Sequence, residues 1–138
     1  MPRRIAVDTG PIVAFFVRDD LRHADMAEFV RSATFPLFTT VPVLTEVMHL
    51  LSFSVIGRLK CLEWLQRGVV EIVDLRADDW ARVAQLIEKY ADLPMDFADA
   101  SLIAACERLD TRLVASIDSH FEIYRFRDRQ RFENLFPQ

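Results

Sequence analysis

The chain has 138 residues, 51% of them hydrophobic, and a formal net charge of −4. That length suits one domain burying roughly two thirds of its unfolded surface. The negative balance argues against broad, sequence-blind attraction to nucleic acid, and three glycines exclude a glycine-rich phosphate loop.

Ile5 to Asp8 reads as a short buried strand, and Gly10-Pro11 restarts the chain into an apolar helix, Ile12 to Val17, with Asp8 or Thr9 available as its cap. Leu21 to Ser32 reads as a second helix, with Ala24, Ala27 and Val30 at helical spacing. Leu37 to Thr40 is a strand, and Pro42 marks the start of a helix to about Phe53. Ser54 to Arg67 makes another helix, with Ile56, Leu59, Leu62 and Leu65 as its apolar face, and Gly68 ends it before the strand Val69 to Val73. Asp78 caps a helix to about Asp92 that carries Trp80, Val83, Ala84, Ile87 and Ala91 on one side. After Pro94, Asp96 begins a helix to Leu109, Arg112 to Ile117 is a strand, and Ile123 to Phe126 makes a last short one. Strands alternating with helices imply an α/β fold with a mostly parallel sheet.

No membrane span is expected, because the apolar run around Glu46 is interrupted by Pro42, Glu46 and His49. Cys61 and Cys106 lack C-x-x-C spacing and read as buried, reduced thiols of a cytoplasmic protein. Arg125, Arg127, Arg129 and Arg131 alternate near one end, and Arg3, Arg4, Arg18 and Arg22 cluster near the other. Such sets either hold phosphates or form solvated faces, and the sequence leaves both readings open.

Four acids stand apart. Between Ser32 and Gly57 the only charged residue is Glu46, and burying an unpaired carboxylate costs several kcal/mol or more. Asp8 ends a strand, Asp118 follows Leu113-Val-Ala-Ser-Ile, and Asp99 lies in the first turn of a helix whose stripe continues through Leu102, Ile103 and Cys106. Each has an ordinary reading: Asp8 and Asp118 as caps of the turns that follow, Asp96 with Asp99 as a capping box. Glu46 caps nothing. In open α/β sheets functional groups gather at the carboxyl edge, and four acids at strand–helix junctions point to one shared site there. Carboxylate oxygens suit Mg²⁺ or Mn²⁺, and acids without a Cys, His or Ser nucleophile suit phosphodiester hydrolysis. No H-E-x-x-H or Cys-rich spacing supports zinc; His49 reads as a core histidine, and His23 and His120 as surface residues.

The order and context of these acids resemble the PIN-domain family of metal-dependent ribonucleases, and within it the VapC-type toxins of bacterial toxin–antitoxin pairs. The matching stretches are Ile5-Ala-Val-Asp-Thr-Gly-Pro-Ile, Leu44-Thr-Glu-Val-Met, Asp96-Phe-Ala-Asp-Ala-Ser-Leu-Ile-Ala and Ala115-Ser-Ile-Asp-Ser-His-Phe. The resemblance spans nearly the whole chain and implies a single PIN-like domain over residues 1–138. It implies a three-layer α/β/α sandwich with a sheet of four to five strands. The catalytic quartet would be Asp8, Glu46, Asp99 and Asp118. These would bind Mg²⁺ or Mn²⁺ with Asp96 as a fifth member, and Thr9 and Ser116 would orient them. The implied partners are an RNA substrate, a cognate antitoxin laying a basic residue over the acidic groove, and a second copy in a homodimer. The alternatives are a PIN-like RNA-processing nuclease that is not a toxin, and a catalytically inactive interaction module. A haloacid-dehalogenase-like phosphatase would need an acid where Gly10 stands.

Overall fold

The computed structural model describes residues 3–138. Three short apolar runs alternate with helices to form the centre of the sheet: β1 (Ile5–Val7), β2 (Leu37–Thr39) and β4 (Leu113–Ala115), every residue of them buried. Strands buried on both faces need helices on both sides, which is the layering expected of a parallel sheet. The helices are α1 (Thr9–Phe16), α2 (His23–Ser32), α3 (Val41–Leu50), α4 (Val55–Gln66), α5 (Asp79–Lys89) and α6 (Phe97–Arg108).

Two edge strands, β3 (Val70–Ile72) and β7 (Glu133–Asn134), complete a five-stranded sheet in the order β3-β2-β1-β4-β7, with every pairing parallel. The chain runs outward from β1 through β2 to β3, then returns to lay β4 on the other side of β1. That reversal makes a crevice at the carboxyl ends of β1 and β4. The expected three-layer α/β/α sandwich with four to five mostly parallel strands is what the chain adopts.

Several local expectations need correction. The last sheet strand is Glu133–Asn134, not Ile123–Phe126; Arg125–Phe126 instead forms a small antiparallel hairpin, β5, with β6 (Gln130–Arg131). A two-residue strand carries no periodicity by which a sequence could reveal it. The helix faces also differ. In α2 the buried residues are Met26 and Phe29, while Ala24 is exposed. In α4 they are Gly57, Cys61 and Trp64, and Leu59, on the expected apolar face, is 59% exposed. In α5 Val83 and Leu86 turn inward and Trp80 is 55% exposed. Trp64 decides the rotation of α4, because its ring packs between Phe15 and Phe16 of α1, with centroids 5.4 and 5.3 Å away.

The site-bearing elements are tied down by buried hydroxyls. Thr39 Oγ1 donates to Val7 O at 2.8 Å, fixing β2 on β1, and Thr40 Oγ1 lies 2.7 Å from Ser101 Oγ, clamping the start of α3 to α6. Gly10 lets α1 approach the segment after β4 closely: a Cβ there would sit 3.3 Å from Cβ of Ile117, which would have to shift by a few tenths of an ångström. No helix among the described residues is long and apolar enough to cross a membrane.

Candidate metal centre

The carboxyl ends of β1 and β4 hand over directly to the acids. Asp8 follows β1 in the N-cap position of α1, and its amide donates to Ala115 O of β4 at 3.0 Å. Its side chain makes no cap bond. The ordinary reading of Asp8 as a helix cap therefore fails, and its carboxyl, 4% exposed, turns into the crevice. Asp118 follows β4 and is the more open of the two, with Oδ1 accepting from the His120 amide at 2.9 Å. Here the turn-capping reading holds, and the same carboxyl also lines the cleft.

The other acids arrive on helices. Glu46 lies in the second turn of α3 and is partly buried. Asp96 caps α6 by accepting from the Asp99 amide at 2.8 Å, the one-way form of the expected box. Asp99, one turn into α6, is 8% exposed. Asp8, Glu46, Asp96, Asp99 and Asp118 all line one cleft of about 280 Å³, together with Thr9, Gly10, Leu50 and Ile117.

So many carboxyls in one partly dry cleft cannot all ionise at their usual pH. Burial, followed by the charges of Asp118 and Glu46, pushes Asp8 up to about 6 against the Thr9 amide and the Ser116 hydroxyl, which favour its charged form. Burial, then the charges of Asp8 and Asp96, pushes Asp99 up to about 8. Glu46 is raised as well, by burial and then by Asp96 and Asp118. Titration in such a cluster belongs to the group rather than to one acid.

Two hydroxyls hold the acids in place. Ser116 Oγ donates to Asp8 Oδ2 at 2.8 Å and accepts from the Asp118 amide at 3.1 Å, so one side chain links two acids. Tyr124 OH donates to Asp99 Oδ2 at 2.8 Å. Thr9 is buried beside Asp8, and its Oγ1 has no hydrogen-bond partner among the described residues. Asn134 of β7 braces Ser116 on both sides, with Oδ1 accepting from its amide at 3.1 Å and Nδ2 donating to its carbonyl at 2.9 Å.

Sequence reasoning missed Tyr124, Asn134 and His120. Nothing local marks Tyr124, since its hydroxyl reaches Asp99 only once the segment after β4 folds under α6. His120 is not a plain surface residue: its Nδ1 lies 3.3 Å from Asp118 Oδ2 and its ring 6.0 Å from that of Tyr124. His49 is exposed and lines an apolar hollow with Glu46, and is no core histidine. Arg3 and Arg4 precede β1, at the edge of the sheet away from the acids, and Arg4 pairs with Glu71. Arg125 donates to three backbone carbonyls and Arg127 pairs with Asp110, so half of the alternating arginines brace the hairpin.

A divalent cation fits this donor set. All five acids offer hard oxygens. Asp8 Oδ1 is buried with no hydrogen-bond partner among the described residues, and a buried carboxylate oxygen lacking a donor is the kind of atom a cation satisfies. Cys61 and Cys106 are free, buried and raised by burial, far from thiolate chemistry.

Known proteins share this framework. The chain is 27% identical over 122 residues to Ribonuclease VapC26 of Mycobacterium tuberculosis, an alignment covering 86% of this chain and 90% of that protein. Its fold matches the crystal structure of Mycobacterium tuberculosis VapC20, a toxin that cleaves the sarcin–ricin loop. The TM-score is 0.80 at 20% identity, over 96% of this chain and 99% of that one. The family model of the PIN domain matches residues 5–127, from the first residue of β1 to the hairpin that follows Tyr124. The chain belongs to the PIN domain family.

Proposed function

We propose that the protein is a divalent-metal-dependent endoribonuclease, the toxin of a VapBC-type toxin–antitoxin pair. The observation that carries this reading is the convergence of five carboxyls at the β1/β4 crevice, with the buried Asp8 Oδ1 left without a hydrogen-bond partner among the described residues. Asp8, Asp99 and Asp118, with Glu46 and Asp96, would hold Mg²⁺ or Mn²⁺. When bound, the ion supplies positive charge at the phosphoryl oxygens and lowers the pKa of a water nucleophile.

The chain's own groups do the rest. Ser116 and Tyr124 keep the Asp8 and Asp99 carboxyls in single orientations, so the donor set is preorganised. Glu46 is partly exposed and its pKa is raised, which suits a group that takes a proton from attacking water. Ile117 and Leu50 give the cleft apolar walls beside the acids.

Exposed apolar surface supports the partners of this reading. Trp80 and Phe97 stack with centroids 6.0 Å apart, and with Ile87 they give α5 and the start of α6 a second apolar face suited to a homodimer. Val55, Ile56, Leu59 and Leu62 of α4 form another face. Phe53 and Leu50 continue it to the rim of the acid cleft, where an antitoxin could cover apolar and acidic surface together. A protein that cuts RNA and is held by an antitoxin would act in the cytoplasm.

The test is cleavage of structured RNA by wild type, Asp8→Asn and Asp99→Asn, each with metal and with EDTA. Only wild type with metal should cut, and the substitutions should cost about a hundredfold or more. Cleavage in EDTA overturns the reading. Growth arrest on expression, relieved by a co-expressed antitoxin, separates the toxin from a processing nuclease, and an intact fold without cleavage identifies an interaction module.

A further inference from the structure

Beside the acids lies a donor of a different kind. One ring nitrogen of His120 and one carboxylate oxygen from each of Asp99 and Asp118 lie within 4.8 Å of one another. Donors around one ion, each about 2.0–2.2 Å from it, stand within roughly 4.4 Å of each other, so this trio is nearly closed on a common point before any ion arrives. Asp8, nine-tenths buried and more, lines the same cleft with its unpartnered Oδ1. The placement of His120 is set by the fold: its amide caps onto Asp118 Oδ1, its Nδ1 faces Asp118 Oδ2, and its ring leans on Tyr124, the residue that holds Asp99.

We infer that His120 is a nitrogen ligand of the metal in this cleft, making the centre a mixed nitrogen–oxygen site that prefers Mn²⁺ to Mg²⁺. The inference rests on the metal-dependent reading of the same acids and adds the ligand that sets which ion is held. Imidazole is a softer donor than carboxylate and binds first-row transition ions in preference to Mg²⁺, which keeps oxygens and water. An all-carboxylate cleft discriminates little between the two ions. One imidazole changes that, because it adds more to the affinity for Mn²⁺, a first-row transition ion, than to that for Mg²⁺. The competing role, in which His120 only steadies Asp118 through a hydrogen bond, would affect both ions alike.

The experiment is pulsed electron paramagnetic resonance of the full chain loaded with Mn²⁺, with Mn²⁺ and Mg²⁺ affinities measured by calorimetry for wild type, His120→Ala and His120→Gln. The side chain is partly exposed, and circular dichroism will show both variants folded. Wild type should display nitrogen hyperfine coupling to Mn²⁺ that disappears in both variants. Their Mn²⁺ affinity should fall about tenfold or more, the low end of what outer-sphere partners alone already cost, while Mg²⁺ affinity changes far less. Mn²⁺ bound without nitrogen coupling, or equal losses for the two ions, overturns the inference and leaves the nuclease reading standing. Failure of wild type to bind either ion overturns both.

Discussion

The Tyr124 hydroxyl donates to Asp99 Oδ2 across 2.8 Å, joining the segment after β4 to the first turn of α6. Tyr124 is fully buried, and burial followed by the Asp99 charge raises its own pKa, so the proton stays on the phenol and the bond keeps one direction. Tyr124→Phe removes the donor and little volume. Cleavage should fall about tenfold, with about 1 kcal/mol lost from stability. Steady-state kinetics beside a thermal melt checks this; unchanged kcat would show that Asp99 needs no such brace.

Ser116 makes the corresponding bond to Asp8, and its hydroxyl alone reaches both Asp8 and the Asp118 amide. Ser116→Ala should weaken metal affinity about tenfold, while Ser116→Thr, which keeps the hydroxyl, should retain most of it. Calorimetric titration distinguishes the two. Unchanged affinity in Ser116→Ala would show that the acids keep their orientation without this donor.

The crowded acids set a pH dependence with a definite sign. In the unfolded chain Asp8 and Asp99 titrate near 3.8, but in the fold they sit at about 6 and about 8. Folded-state values above unfolded ones mean that the folded state holds protons longer, so their contribution is complete in acid and is lost as pH rises through these values. In EDTA the melting temperature should fall between pH 5.5 and 8.5, by an amount on the order of 3 kcal/mol in stability. Asp99→Asn should flatten that fall. Divalent metal should reverse it, since binding favours the ionised acids. A metal-free melting temperature that is level or climbs over this range would mean that burial and the neighbouring charges do not raise Asp8 and Asp99.

Trp80 and Ile87 lie on the solvent-facing flank of α5, beside the buried Val83 and Leu86. Trp80→Lys with Ile87→Lys should leave the monomer's stability within about 0.5 kcal/mol, as surface changes usually do, yet abolish dimers. Light scattering at micromolar concentration reads this directly: wild type at twice the chain mass, the variant at one. A wild-type monomer would remove the dimer from the account.

The sequence carried the frame of this molecule because the strands of the sheet centre are continuous apolar runs and each is closed by Asp, Thr or Ser. Position along the chain then implied position in space: Asp8 and Asp118 follow neighbouring parallel strands, so pairing delivers both segments to one edge, and Ser116 completes the approach. Glu46 was legible from the lack of any other charge around it. What the sequence could not reveal were choices made by tertiary packing. Leu59 and Leu62 have helical spacing as good as that of Cys61 and Trp64, and only the fit of Trp64 between Phe15 and Phe16 decides which face turns in. Tyr124 and Asn134 lie in segments with almost no periodicity, and their hydrogen bonds join residues far apart in sequence.

A crystal of the wild-type protein soaked in Mn²⁺, with anomalous scattering recorded at the manganese edge, tests the central claim most directly. The account predicts a peak in the β1/β4 crevice at about 2.1–2.3 Å from carboxylate oxygens of Asp8 and Asp99, absent from crystals of Asp99→Asn. A fully soaked crystal with no density between those two side chains, or with manganese only on surface carboxylates elsewhere, would contradict it.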